Sequence, residues 1–229
     1  CVGELLVAAC FGYHFYHLPC WPLPLTADRL LLVGLGGLYL IYWFKGWAAP
    51  PPCNKADVAV FLLLGVLTLN TLTHDWRYNH AQPLADLLFY FFQPAALYWI
   101  ARQSVSGPTE FRLLRNLLAV FGLYLAFTAI AEIHHLSALV FPRYIVADAV
   151  EVWAGRAQGP FRSPPTNGLF LGTSLCAWIL YWPRATRLFR IVILVAMGAI
   201  FLGIYYTFTR ACWLGGILGL WVMAVFVLP

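Results

Sequence analysis

Eight apolar runs of membrane-crossing length follow one another along this chain, at roughly 2–18, 29–45, 57–73, 84–101, 113–133, 167–183, 188–207 and 210–228. A spanning helix needs about 20 mostly apolar residues. Lipid offers no hydrogen-bond partners, so each run must satisfy its backbone within itself, as a helix does. Only 10% of the residues are charged, against about 25% in a soluble domain. That is too little charge to cover a water-facing surface, and the mean hydropathy of +0.77 agrees. The expected fold is all-α: a polytopic transmembrane helix bundle of about eight spans, with one longer outer loop at about 134–166. Pro94 falls inside the fourth run and predicts a kink there. The glycines of runs two, seven and eight suit close helix packing.

Loop charge sets the expected orientation. Lys45, Lys55, Arg102, Arg112, Arg115, Arg184, Arg187 and Arg190 cluster on three short loops of one side. Arg29, Arg77, Arg143, Arg156, Arg162 and Arg210 lie on the other, with most of the acids. The positive-inside rule makes the first side cytoplasmic. The net charge of +5 is therefore read as topology; the expected partners include membrane lipids and no nucleic acid. The six cysteines show no C-x-x-C spacing, so neither a disulfide framework nor a zinc site is expected. The histidines His14, His17, His74, His80, His134 and His135 show no spacing that demands a metal. No cofactor is expected.

The chain opens at Cys1 within an apolar run and stops at Pro229 just after another. It is expected to be a piece of a longer protein. No cleavable signal peptide is recognisable, and none is needed if the first spans direct insertion.

Two polar segments interrupt the apolar pattern on the outer side. The first runs Arg156-Ala-Gln-Gly-Pro-Phe-Arg-Ser-Pro-Pro-Thr-Asn-Gly168. Arginine is always charged and its planar fork matches phosphate oxygens. Gly159 and Gly168 let backbone approach a ligand, and the prolines stiffen the loop. Thr166 or Asn167 is expected at the N-cap of the sixth run, where free N–H groups favour anions. Arg156, Arg162 and Gly159 would then form an anion cradle suited to a pyrophosphate. An arginine-proline turn anchoring the helix to lipid headgroups fits the same residues. The second segment is Thr207-Phe-Thr-Arg210-Ala-Cys-Trp-Leu-Gly215. Its turn is too short for an ordinary loop, so Arg210 is expected at or just below the membrane surface, facing protein. Ionisable groups at that depth are functional by default. An interfacial helix is expected near 142–154. Asp75, Asp148 and Glu151 are outer-side acids that no pattern singles out.

At these two segments the chain resembles the O-antigen ligase and O-antigen polymerase superfamily of bacterial membrane proteins. Arg156, Gly159, Phe161, Pro164 and Gly168 fall on a motif of the type Arg-x-x-Gly-x-Phe-x-x-Pro-Asn-x-x-Gly/Ala. Thr207, Thr209, Arg210, Ala211 and Trp213 match a Thr-x-Ser-Arg-Gly/Ala-x-Trp/Leu signal, with Thr209 in place of the serine. The proline-asparagine pair departs, reading Pro165-Thr166-Asn167. The match covers about 155–220; upstream, the spans agree only in being apolar.

The resemblance implies two segments: N-terminal transmembrane spans over 1–154, and the incomplete start of an O-antigen ligase-like domain over 155–229. It implies a multi-pass enzyme of the bacterial inner (cytoplasmic) membrane with its active face periplasmic. That enzyme would transfer a glycan from an undecaprenyl-pyrophosphate carrier to an acceptor glycolipid or glycan, without a metal. Arg210 and Arg156 would be catalytic, neutralising the leaving pyrophosphate, with Arg162, Gly159, Asn167 and Thr209 holding donor. A histidine base and a further arginine would come from sequence beyond Pro229. The competing class is a transporter or flippase-like carrier of an anionic lipid or solute, using the same arginines without bond cleavage. A structural subunit of a membrane complex is a third reading.

Overall fold

The computed structural model describes residues 17–18, 25–47, 52–73, 83–103, 107–147 and 151–227. It is helical, apart from a two-residue antiparallel pairing of β1 (His17–Leu18) with β2 (Leu25–Thr26). The helices are α1 (Ala27–Phe44), α2 (Lys55–Thr73), α3 (Pro83–Leu87), α4 (Gln93–Gln103), α5 (Pro108–Ile133), α6 (Tyr144–Ala147), α7 (Pro164–Ile179), α8 (Arg187–Tyr206) and α9 (Arg210–Val227). Among the described residues, α2, α5 and α8 are long and apolar enough to cross a membrane. The stretches Leu30–Phe44 and Arg210–Val222 are shorter apolar helices. The first apolar run, 2–18, lies almost wholly outside the described residues.

The chain divides into two compact units, Arg29–Ser106 and the pair Cys1–Asp28 with Gly107–Pro229. In the first, Asn54 and Asp57 cap α2 reciprocally: Asp57 N donates to Asn54 Oδ1 (2.9 Å) and Asn54 N to Asp57 Oδ2 (2.7 Å). This is a capping box built with asparagine and aspartate. Asp57 is 1% exposed. Its carboxylate also accepts from Tyr98 Oη at 3.0 Å and pairs with the Arg102 guanidinium, tying α2 to α4. The irregularity expected at Pro94 is a π-helical turn, Leu88–Phe92, just before it. Gln93 N–H donates to Leu88 O there.

The second unit is built on α5, α7, α8 and α9. Leu125, Leu171, Leu175, Ile193, Ile200 and Ile204 are fully buried between them. Leu188, Leu194 and Val195 of α8 are exposed in turn, a distribution suited to lipid on the outside. Lipid tails are as apolar as leucine, so these helices gain from close packing more than from burial itself. Small residues supply the closeness. Ala119, Gly122, Ala126 and Ala129 recur at helical spacing on α5 and are all buried. A Cβ on Gly122 would stand 2.2 Å from Ser174 Cβ of α7. The Trp178 indole crosses the same interface to Ala119 O at 3.1 Å.

Gly122→Ala must therefore push α5 and α7 apart. We expect a loss of roughly 1–3 kcal/mol, the usual range for overpacking, read as a lower denaturation midpoint in detergent. Gly172 of α7 has open space at its Cβ position. Gly172→Ala should leave the midpoint unchanged or raise it, because alanine is the better helix former. Equal midpoints for the two variants would refute the close contact.

Three local expectations need correction. The cap of α7 is Ser163, not Thr166 or Asn167: Ser163 Oγ accepts from Thr166 N at 3.4 Å, and Pro164 takes the first helical position. The prolines sit where no N–H donor is needed, so they belong to the helix. The expected interfacial helix at 142–154 is replaced by the single turn α6 and a 3-10 turn, Glu151–Trp153. Residues 148–150 lie outside the described set. The third correction concerns Arg210 and is taken up with the site.

Candidate functional site

The C-terminal ends of α5 and α8 and the N-terminal ends of α7 and α9 meet at one end of the second unit. The Arg156–Ser163 segment crosses them. The last carbonyls of any helix lack intrahelical donors and carry the negative end of its dipole. At the end of α8 those carbonyls are taken by Arg156. Its Nε donates to Thr207 O at 3.0 Å, and its Nη2 to Phe208 O at 2.8 Å and Thr209 Oγ1 at 2.9 Å. Ala157 N adds a bond to Tyr206 O at 2.9 Å. The turn that makes this possible has Phe208 in the left-handed region, φ 47°. The Trp153 ring lies 4.9 Å from the Arg156 guanidinium and completes its seat.

The next two residues are held from α5. Gln158 N donates to Glu132 Oε1 at 3.0 Å and Oε2 at 3.1 Å; Gly159 N donates to Oε2 at 3.0 Å. A carboxylate that receives backbone N–H groups makes a charge-assisted anchor. Gly159 has φ +58°, and a Cβ there would stand 2.7–2.9 Å from the Asn167 carboxamide. Both conformation and space therefore require glycine. Tyr144 Oη pins the following residue, donating to Pro160 O at 2.9 Å. Phe161 stacks on Phe170 of α7 with ring centroids 4.7 Å apart.

Glu132→Gln should loosen this anchor, since one of its two acceptor oxygens becomes a donor facing backbone N–H groups. A buried donor left unpaired costs about 1–3 kcal/mol. We expect amide exchange at Gln158 and Gly159 to accelerate by about 10- to 100-fold, following from that cost at about 1.4 kcal/mol per tenfold. Unchanged exchange would show that Glu132 does not hold the loop.

The expected site residues divide into three groups. Arg156, Gly159 and Thr209 are brought together with the backbone of 207–209. The Thr209 hydroxyl accepts from Arg156 and donates to Thr207 O at 3.1 Å. Asn167 lies beneath the segment, 0% exposed. Its Nδ2 reaches Ala157 O at 3.5 Å, and its Oδ1 is buried without a hydrogen-bond partner. Arg162 is half-buried, with a left-handed backbone (φ 51°) that turns the chain into Ser163.

Arg210 departs from expectation: it is exposed, not turned toward protein. It opens α9, and the helix face that packs on α7 carries Cys212, whose Sγ lies 3.4 Å from Pro165 O. Two residues along a helix is about 200° of rotation, so Arg210 falls on the opposite side. It makes no hydrogen bond or ion pair among the described residues.

Glu132 was the member that sequence reading passed over. Its signal was available: a lone carboxylate ending an apolar run, at a depth where charge is costly. Beside it, His134 Nε2 and Tyr206 Oη lie 3.2 Å apart, linking α5 to α8 once more. No family model, no curated protein and no solved structure matches this chain.

Proposed function

We propose that this chain belongs to a multi-pass glycan transferase of the O-antigen ligase or polymerase type. About eight spans would place the Arg156–Gly168 and Thr207–Gly215 segments at the periplasmic face of a bacterial inner membrane. There the protein would transfer a glycan from an undecaprenyl-pyrophosphate carrier to a glycolipid or glycan acceptor. The observation that supports this reading most is the Arg156–Thr209 bond, which joins the two motif segments across 53 positions of sequence. A donor site shared between them needs that proximity.

The geometry favours different tasks for the two arginines. Arg156 uses Nε and Nη2 on backbone and Thr209, so it fixes the turn. Arg210, exposed beside that turn, is the group suited to neutralise the leaving pyrophosphate. Preorganised charge on a leaving group is usually a large catalytic contribution. Arg162 lines the approach, and Gly159, buried with its N–H on Glu132, shapes the backbone below it. Asn167, buried below, supports the loop from beneath.

The test is transfer in vitro. The full-length protein is incubated in detergent with an undecaprenyl-pyrophosphate-linked glycan and an acceptor glycolipid. The expected result is a glycosylated acceptor with release of undecaprenyl pyrophosphate. Movement of the intact donor across a vesicle membrane without cleavage would overturn the transferase in favour of the carrier reading.

A further inference from the structure

The opposite end of the second unit carries its own concentration of charge. Arg112 and Arg115 lie in the first turns of α5, Arg184 in the turn after α7, and Arg187 and Arg190 in the first turn of α8. This end is shared by all three helices. Tyr181 Oη donates to Asn116 Oδ1 at 2.5 Å, and the Arg115 guanidinium sits 3.9 Å from the Tyr181 ring centre. The acid placed among these arginines is Glu110, and no ion pair joins it to any of them among the described residues. Two of the five cations, Arg187 and Arg190, stand in the first turn of a helix, where the dipole is already positive. Cations there are unfavourable until an anion joins them.

A groove of about 1150 Å³ opens at this place. Its walls are Phe111, Leu114, Leu118, Cys176, Ala177 and Leu180, and Arg112, Arg115 and Arg184 border it. Arg112 turns back on its own helix, with Nε 3.2 Å from Pro108 O. Arg115 Nη2 reaches Asn116 Oδ1 at 3.3 Å, while its Nε is buried with no hydrogen-bond partner. Arg184 is exposed. The groove is thus apolar along its length and cationic at one end, with donors unused.

We propose that this groove binds one anionic glycerophospholipid, its phosphate held by Arg115 and Arg184 and an acyl chain laid along Phe111, Leu118 and Leu180. Both halves of the ligand are needed to match it. A free phosphate leaves the apolar walls uncovered, and a neutral lipid leaves the arginines without a counter-ion. Basic pockets between transmembrane helices take anionic headgroups in this manner. The site lies at the other end of the helices from Arg156 and does not depend on the glycan-transfer reading.

Native mass spectrometry of the delipidated full-length protein tests it, titrating dioleoyl-phosphatidylglycerol against dioleoyl-phosphatidylcholine. Wild type should retain one phosphatidylglycerol in preference. Each arginine near an anionic headgroup contributes roughly fivefold, so Arg115→Gln with Arg184→Gln should lower retention by roughly 25-fold. Thr173→Phe, which narrows the groove from an exposed position without touching an arginine, should lower it as well. Lys55→Gln, in the other unit, should not. Equal retention of the two lipids, or full retention by both groove variants, overturns the proposal. Displacement of the lipid by millimolar inorganic phosphate overturns it in favour of a free-anion site.

Discussion

On the proposed transferase reading, Arg210→Ala should cut glycan transfer by about 10²–10³-fold while leaving the protein as stable as before. The two halves of that expectation come from separate observations. Arg210 is exposed and holds no partner among the described residues, and surface changes of this kind usually stay within about 0.5 kcal/mol. It also stands at the first position of α9, where a cation opposes the helix dipole. Removing it should leave the denaturation midpoint unchanged or slightly raised. Activity is another matter. Loss of one preorganised donor at a developing charge costs about 10²–10³-fold, and Arg210 is the exposed guanidinium nearest in sequence to the clamped turn. Arg210→Lys should recover part of the rate, because the charge remains and the fork is lost. A normal rate in the alanine variant would remove Arg210 from the site. A large fall in midpoint would make it structural instead.

Arg156→Ala should behave in the opposite way. The side chain makes three hydrogen bonds to the end of α8 and the turn beyond it. Bonds from a charged donor are worth about 1.5–3 kcal/mol each, and they are not additive when they share one group. We therefore expect a loss of roughly 2–4 kcal/mol, concentrated at the α8–α9 turn. The local reporter is Cys212, held near Pro165 at the start of α7. Its alkylation, followed by peptide mass mapping, should accelerate in Arg156→Ala ahead of that of Cys176. A double-mutant cycle with Thr209→Val should show coupling of about 0.5–3 kcal/mol, as expected for groups in one network. Additive effects, with Cys212 no more reactive than before, would mean that the clamp carries no energy in the membrane.

The contrast between these arginines shows what a sequence can and cannot convey. Both follow from charge placed against apolar runs, and both lie at the same end of the helices, as loop spacing implied. Their different tasks could not be read. Arg156 binds main-chain carbonyls, and a carbonyl leaves no mark in sequence. The α7 cap was missed for a related reason. Pro164 and Pro165 read as loop stiffeners, although Ser163 before them has the pattern of a cap followed by proline at the first helical position. The helices themselves were legible because lipid permits so few alternatives. The ends of α2, α5, α8 and α9 fall within a few residues of the apolar runs, with α5 starting five residues early at Pro108. Asn167, displaced from its place in the motif the segment resembles, lies where its bulk meets Gly159, a contact between loop and helix that spacing alone does not encode.

Four consecutive residues, Arg156 to Gly159, hang in two pairs from two different helices. The first two hold the end of α8, and the next two hold Glu132 of α5. Such a crossbar fixes the two helices in register. Sliding one past the other by a single turn, about 5.4 Å, would break the bonds to at least one of them. Any rearrangement at this end that spares these bonds must therefore leave α5 and α8 in register.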